Sequence, residues 1–199
     1  NNLKILPEYC GVNQSDKTNY SIINTKNKLE KQLAENRVAY FSTEAEDNYQ
    51  TQKINSCEAN KVAEIVHAYC ELFKANGKEI IPTKSIGVIT PYRAQIAQIK
   101  NALEAIDETY GEFTIDTVER YQGGARDVIL ISLCLNNVRQ LETLVSLDTE
   151  GKVDRKLNVA LTRAKQHLVI IGNEKLMAES AIYGQLLDWA KVGNTGFAD

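Results

Sequence analysis

The chain has 199 residues, of which 43% are hydrophobic and 25% are charged, and these proportions are ordinary for a globular protein with one sizeable core. Its net charge of −3 excludes a generally basic surface, so a nucleic-acid site would have to be a local patch. No apolar run approaches the ~18 residues that cross a bilayer, so no membrane association is predicted. The four cysteines lack CxxC spacing, which predicts free thiols, a cytoplasmic protein and no metal site.

Helices and strands are predicted to alternate along the chain. Apolar residues three and four positions apart predict helices over 26–35, 58–76, 91–106, 155–165, 174–180 and 182–191. Short apolar runs rich in β-branched residues predict strands over 37–41, 86–89, 113–118, 127–135 and 167–171. The polar stretch 136–154 is predicted to be irregular. His67 and His167 lie within apolar patterns, which favours packed or surface histidines over catalytic ones.

Strands that are apolar on both faces and alternate with helices predict an α/β fold, with a mostly parallel sheet covered by helices on both sides. The strand over 127–135 is the most apolar and should lie in the middle of the sheet. In such sheets ligands bind beyond the C-terminal ends of the strands. The polar segments that follow the strands are therefore the candidates for a functional site.

One segment resembles a phosphate-binding loop but lacks an essential residue. Residues 11–18 nearly spell the pattern GxxxxGK[ST], with Asp16 in place of the second glycine. A side chain there blocks the close approach of the backbone, and a carboxylate repels phosphate. No helical pattern follows, so we assign no phosphate loop to this segment.

Three stretches that follow predicted strands form a specific combination. ITPYRAQ (89–95), TVERYQGGARDVILIS (117–132) and RKLNVALTRAK (155–165) resemble, in this order, motifs IV, V and VI of superfamily 1 helicases. The subclass they resemble contains the nonsense-mediated-decay helicase and its DNA-replication relatives. The resemblance covers residues 55–173 and implies a RecA-like (P-loop NTPase-type) fold. It also implies that the chain is the second motor domain of an ATP-dependent helicase.

On the nucleotide side, the resemblance implies roles for residues of the last two motifs. Arg163 resembles the arginine finger that reaches the γ-phosphate held by the first motor domain, with Arg155 or Lys156 as a supporting cation. Gln122 and Gly123 would face both the nucleotide and the single strand. The residues alone also allow simpler interpretations, in which Arg163 forms a surface ion pair on its helix and Gln122–Gly123 is only a turn.

On the nucleic-acid side, the resemblance implies that one group of residues contacts single-stranded DNA or RNA. These residues are Thr90, Pro91, Tyr92, Thr117 and Asn137. Hydroxyl and backbone N–H contacts to phosphates would position the strand without reading its sequence. Two alternatives stay open. Thr90 could instead cap a helix that begins at Pro91, and the ring of Tyr92 could pack into the core rather than stack on a base.

Two positions depart from the motif pattern on the nucleotide side. Ala125 stands where relatives usually carry a glutamate that holds the ribose, and Ser56 stands where many carry a basic residue. These departures favour an alternative function as a catalytically degenerate RecA-like module that binds nucleic acid or serves as a scaffold. An unrelated doubly wound domain that binds a small phosphate ligand through residues 122–124 is a further alternative.

One more segment, Asn55-x-x-Glu58-Ala59, resembles the Asn-x-x-Glu-Ala segment of the same helicases. A glutamate in the first turn of a helix is favoured by the helix dipole in any case, so this resemblance adds little by itself.

The chain lacks a Walker A loop and an acidic Walker B strand end. ATP and Mg²⁺ would therefore be held mainly by an N-terminal RecA-like domain of the same polypeptide, and we expect this chain alone to bind neither and to be inactive. Residues 1–36 are interpreted as a connecting segment, 37–192 as the RecA-like domain and 193–199 as a tail. The sequence does not distinguish DNA from RNA, because phosphate and stacking contacts occur with both.

Overall fold

The computed structural model describes residues 25–46, 53–121, 124–150 and 153–191, and these are called the described residues below. The helices are α1 Lys28–Glu35, α2 Ser56–Ala75, α3 Arg93–Glu104, α4 Val138–Leu144, α5 Arg155–Leu161, α6 Glu174–Ala178 and α7 Ala181–Lys191. The strands are β1 Val38–Ser42, β2 Ile86–Ile89, β3 Thr114–Asp116, β4 Arg126–Ser132 and β5 Ala164–Gly172. A short 3-10 helix covers Glu108–Glu112. The rejected phosphate loop over 11–18 lies outside the described residues.

The five strands form one parallel sheet in the order β1-β5-β4-β2-β3. β4 occupies the centre, as its apolar sequence predicts, and its last five residues are all buried. A parallel sheet with helices between its strands confirms the predicted α/β fold of the RecA-like type.

Each face of the sheet packs against its own layer of helices. On β4, Ile129 and Ile131 point into a core shared with α4 to α7, whereas Val128 and Leu130 point into a core shared with α1 to α3. Burying each large apolar side chain contributes roughly 1.5–3 kcal/mol, so both layers stabilise the central strand. α1 falls within the predicted connecting segment, and it packs against α2. The predicted domain boundaries at 36 and 192 stay predictions.

Besides shifts of a few residues at the ends of helices and strands, three predictions differ from the structure. Thr90 does not cap a helix, because α3 begins at Arg93 and its N-cap residue is Tyr92, whose ring is buried in the core. The stretch 136–154 is not irregular throughout, since it contains α4, which buries Leu141 and Leu144. The helix of the third motif ends at Leu161 rather than at 165, because the residues from Ala164 onward already pair in the sheet.

The two histidines and three of the cysteines lie as predicted. His167 is fully buried in β5 with its ring edge-on to Tyr69, and burial lowers the pKa of His167 to about 3. His67 is exposed on α2, where its Nδ1 lies 3.0 Å from the Tyr110 hydroxyl. The thiols of Cys57, Cys70 and Cys134 are all free. No helix in the part of the chain that the structure describes is long and apolar enough to cross a membrane.

Candidate nucleotide and nucleic-acid site

The C-terminal ends of all five strands meet at one edge of the sheet, because the strands are parallel. Thr90 follows β2, Thr117 follows β3, and Asn137 follows β4 after a short loop. Two grooves begin near this edge. Three of the four cations of the third motif, Arg155, Lys156 and Arg163, line the first groove, which extends along α5 to the N-terminal ends of β4 and β5. Tyr92 and Asn137 line the second.

The first groove brings the second and third motifs together. Its lining consists of Val118, Glu119, Tyr121, Ser146, Arg155, Lys156, Val159 and Arg163. The start of α5 is fixed by Asp154, whose carboxylate accepts hydrogen bonds from the backbone N–H groups of Leu157 and Ser146, each at 2.9 Å. This cap holds the cations of α5 next to the segment that follows β3. The groove can therefore hold an anionic ligand.

Arg163 lies in the two-residue turn between α5 and β5, and not on the helix as predicted. Its backbone is held from both sides, since its N–H donates to Ala160 (3.2 Å) and its carbonyl accepts from the Arg126 N–H (2.9 Å). Its Nε is buried and has no hydrogen-bond partner among the described residues. The alternative of an ion pair on a helix surface does not match this geometry. The guanidinium stays available to a partner outside the described residues.

The two neighbouring cations differ in their surroundings. Lys156 Nζ lies 2.6 Å from Glu119 Oε1, and this hydrogen bond lowers the pKa of the Glu119 carboxyl. Arg155 has no carboxylate within ion-pair distance among the described residues, and its Nη2 reaches only the Leu147 carbonyl at 3.5 Å. Because the charge of Lys156 is already balanced, Arg155 is the better candidate for a supporting cation.

Gln122 and Gly123 lie outside the described residues, so their predicted roles are untested. The residue before them, Tyr121, is firmly placed. Its N–H donates to the Thr117 carbonyl at 2.8 Å, and its ring lies under the Arg126 guanidinium at 5.4 Å. Its hydroxyl occupies the space beside Gly87 on β2, where any Cβ would overlap it. The segment that leads to Gln122 is thus packed directly on the sheet.

Thr90 and Thr117 are neighbours across the β2–β3 pair. The Thr90 N–H donates to the Asp116 carbonyl at 3.1 Å, and the Thr117 N–H is bonded to the Asp116 carboxylate at 2.8 Å. Thr90 is fully buried, yet its hydroxyl has no hydrogen-bond partner among the described residues. Thr90, Pro91 and Tyr92 line a cavity of about 130 Å³. The structure therefore brings together four of the five residues predicted to contact a strand.

Tyr92 and Asn137 both have structural roles in the fold. The side chain of Tyr92 is only 8% exposed and belongs to the core beneath α4 to α7, which favours the packing alternative over base stacking. Asn137 caps α4 by accepting the Gln140 N–H at 3.0 Å. Their predicted contacts with a strand stay predictions.

The sequence interpretation understated Glu58, which is fully buried at the centre of a polar network. Its carboxylate accepts hydrogen bonds from the Ser132 hydroxyl (2.7 Å) and from the N–H groups of Cys134 (2.7 Å) and Leu135 (3.1 Å). Burial raises the pKa of Glu58 to about 7, although these hydrogen bonds oppose the shift. Glu58 thus links the segment that follows β4 to the first turn of α2 by hydrogen bonds.

Asn55 and Gln95 extend this network to α3. Asn55 caps α2 by accepting the Glu58 N–H at 2.7 Å, and its amide donates to the Asn136 side chain at 2.8 Å. Gln95 accepts from the Asn55 N–H at 2.8 Å and donates to the Asn55 carbonyl at 2.9 Å. The only sequence signal for this network was the Asn-x-x-Glu pattern, which by itself indicates a helix cap.

The described residues contain no group of three or more His, Cys, Asp and Glu side chains arranged to hold a metal ion.

Comparison with known families decides the class of the domain. The profile described as "AAA domain" matches residues 9–175, which is most of the chain. The chain belongs to the AAA domain family. The parallel sheet with helices on both faces agrees with this assignment.

Several relatives of this AAA domain are named as helicases. An uncharacterized ATP-dependent helicase of Methanocaldococcus jannaschii is 36% identical over 149 residues, which cover 74% of this chain and 19% of the relative. A regulator of nonsense transcripts 1 homolog of Neurospora crassa is 37% identical over 141 residues, which cover 69% of this chain and 12% of the relative. The RNA helicase Mov10l1 of Mus musculus is 34% identical over 125 residues, which cover 63% of this chain and 10% of the relative. This AAA domain is thus of the superfamily 1 helicase type, and it spans less than one fifth of each of these three relatives.

Proposed function

We propose that this AAA domain is the second motor domain of an ATP-dependent helicase or translocase, and that Arg163 is its arginine finger. One observation carries the proposal. Arg163 and Arg155 line the same groove, and neither has an ion-pair partner among the described residues. Arginines in a groove that have no ion-pair partner among the described residues suit a phosphate that belongs to another domain.

The proposed contribution of this chain to catalysis is electrostatic stabilisation of negative charge. Phosphoryl transfer develops negative charge on the phosphate oxygens, and an arginine directed at them can accelerate the reaction by ~10³–10⁵. Backbone hydrogen bonds on both sides of Arg163 fix the position of its backbone in advance, so little reorganisation is needed when a nucleotide approaches. ATP and Mg²⁺, held mainly by an N-terminal RecA-like domain, would supply the reacting phosphate and a divalent charge. Gln122 and Gly123 would face the same nucleotide.

The second part of the proposal concerns a single strand of DNA or RNA. Thr90 and Thr117 lie side by side at the C-terminal edge of the sheet. The cavity that Thr90 lines shares Glu119 and Lys156 with the groove of Arg163, so a strand held there would run close to the nucleotide cleft. Closing and opening of that cleft would then move the domain along the strand. A cytoplasmic location follows from the cysteine pattern and stays part of the proposal.

Replacing Arg163 by alanine in the full-length polypeptide tests the finger. Strand-stimulated ATPase should fall by about 10³-fold or more. Strand affinity should stay nearly unchanged, because Arg163 lies in the other groove from Tyr92 and Asn137. Lys165→Ala is the matched control, since it removes an exposed cation two residues away. Wild-type ATPase in the Arg163→Ala protein would refute the assignment.

A degenerate, non-catalytic module is the second candidate, and two observations favour it. Lys156 is neutralised by Glu119, and Ala125 cannot hold a ribose. In that case the wild-type full-length polypeptide should bind a single strand but show no strand-stimulated ATPase. Tight binding of free nucleotide by this chain alone would instead support a small-phosphate-binding domain, because the motor proposal predicts weak binding at most.

A further inference from the structure

The second groove at the C-terminal edge of the sheet contains cations that the motifs do not include. Its lining consists of Lys53, Tyr92, Asn137, Val138, Arg139, Gln140 and Thr143, with no carboxylate among them. Lys53 and Arg139 are both exposed, and neither forms an ion pair with another described residue. Most lysines on the helices behave differently. Lys61, Lys74 and Lys191, for example, each pair with a glutamate.

Lys53 is held in place by two features of the fold. Its Nζ lies 5.1 Å from the centroid of the Tyr92 ring, within the distance of a cation–π interaction. Its backbone is in the left-handed region, with φ at 53°, and a residue with a side chain adopts this conformation only when its surroundings hold it there. Next to it, the buried Asn55–Glu58 network fixes the start of α2. Lys53 is therefore a positioned cation and not a freely moving surface lysine.

We propose that Lys53 and Arg139 bind the backbone phosphates of a single strand, and that Tyr92 acts as a positioning residue for Lys53. The inference rests on the proposed function and extends its strand-binding surface from Thr90 across the end of β4 to α4. It also gives Tyr92 a role compatible with its burial, since a ring that is 8% exposed can hold a cation at its face while offering little surface to a base.

Charge is the basis of the test. The logarithm of the association constant for a single strand falls linearly with the logarithm of the salt concentration, and each phosphate contact makes this slope steeper by about 0.7. Losing two contacts should therefore make the slope shallower by about 1.4. Lys53→Ala/Arg139→Ala in the full-length polypeptide should show this change with fluorescein-labelled oligothymidylate and with oligouridylate. The effect should be equal on both, because phosphate contacts do not read bases.

The matched control removes two charges from the opposite edge of the sheet. Lys84 and Lys165 are exposed near the N-terminal ends of β2 and β5. Lys84→Ala/Lys165→Ala should retain the wild-type slope. If both double variants make the slope shallower by the same amount, the effect reflects overall charge, and the proposal that this groove binds phosphates is wrong.

Two comparisons separate this inference from the function on which it rests. If the wild-type polypeptide binds no strand even at low salt, the proposed function fails. If the wild type binds with a steep slope that Lys53→Ala/Arg139→Ala leaves intact, the proposed function survives and the inference is overturned.

Variants of Tyr92 test its positioning role. Tyr92→Phe keeps the aromatic ring that contacts Lys53 and should retain the wild-type salt dependence. Tyr92→Leu removes the ring and should make the slope shallower by as much as Lys53→Ala does. In a Lys53→Ala background, Tyr92→Leu should cause no further change. A further loss in that background would show that Tyr92 contacts the strand directly.

Discussion

Two groups of polar side chains near the ends of the strands differ in how far their hydrogen-bonding capacity is used. At the end of β4, Glu58, Asn55 and Gln95 all bond to one another or to nearby backbone. At the end of β2 and after α5, the Thr90 hydroxyl and Arg163 Nε are buried without a partner among the described residues. Buried polar groups normally find partners, so the first group serves the fold and the second is suited to a ligand.

The largest expected effect comes from removing the centre of the first group. Glu58→Ala would leave the N–H groups of Cys134 and Leu135 and the Ser132 hydroxyl without their acceptor. Each of these three unsatisfied groups costs roughly 1–3 kcal/mol, so the free energy of unfolding should fall by at least about 3 kcal/mol. Urea denaturation of the domain measures this change. A loss below about 1 kcal/mol would mean that the network does not stabilise the fold.

A pH-dependent effect should follow from the same carboxyl group. The pKa of Glu58 is raised from 4.5 in the unfolded chain to about 7 in the folded one, so the folded state binds more protons between these values. The stability that Glu58 contributes is therefore complete below pH 4.5 and is lost as the pH rises through 7.

Glu58→Gln keeps the shape of the side chain and removes its titration. From pH 5 to pH 8, the wild type should lose up to about 3 kcal/mol relative to this variant, as measured by urea denaturation at each pH. The buried His167 changes stability in the opposite sense at acidic pH, but it is present in both proteins and cancels in the difference. Parallel stability curves for the two proteins would contradict the raised pKa.

The smallest expected effect compares two hydroxyls on neighbouring strands. Ile89 of β2 pairs with Ile131 of β4, so Thr90 and Ser132 occupy adjacent positions one residue further on. Thr90→Val should raise the free energy of unfolding by up to about 1 kcal/mol, because it removes a buried hydroxyl that has no partner in the described structure.

Ser132→Ala should instead lower that free energy by about 1–2 kcal/mol, because it breaks the hydrogen bond to Glu58. Thermal unfolding of both variants gives the comparison. If Thr90→Val destabilises the domain as much as Ser132→Ala, Thr90 belongs to the structural group and not to the site.

The sequence was most informative where periodicity is long and apolar. The stripe of α2, the buried run of β4 and the alternation of helices and strands predicted the α/β fold and the edge at which Thr90 and Thr117 meet. Shorter elements were harder to recognise. α4 has only seven residues, and the 3.6-residue spacing of Leu157, Ala160, Leu161 and Ala164 continued beyond the true end of α5 at Leu161.

The polar network was beyond the reach of sequence patterns for a different reason. Glu58 is 74 residues from Ser132, and Asn55 is 81 residues from Asn136, so their contacts arise only when α2 packs against β4. Lys53 and Arg139 form a groove for the same reason, since neither belongs to a motif. Whether a charged side chain has an ion-pair partner depends on which residues the fold brings next to it, and neighbouring residues in the sequence do not reveal this.

The close contact between Gly87 and Tyr121 also constrains how this domain can vary among related proteins. Because the Tyr121 hydroxyl occupies the volume that a Cβ on residue 87 would need, the two positions cannot change independently. A side chain in the middle of β2 requires a smaller residue at 121, and that exchange would loosen the segment leading to Gln122. Residues 87 and 121 should therefore covary, with glycine at 87 accompanying a large aromatic residue at 121.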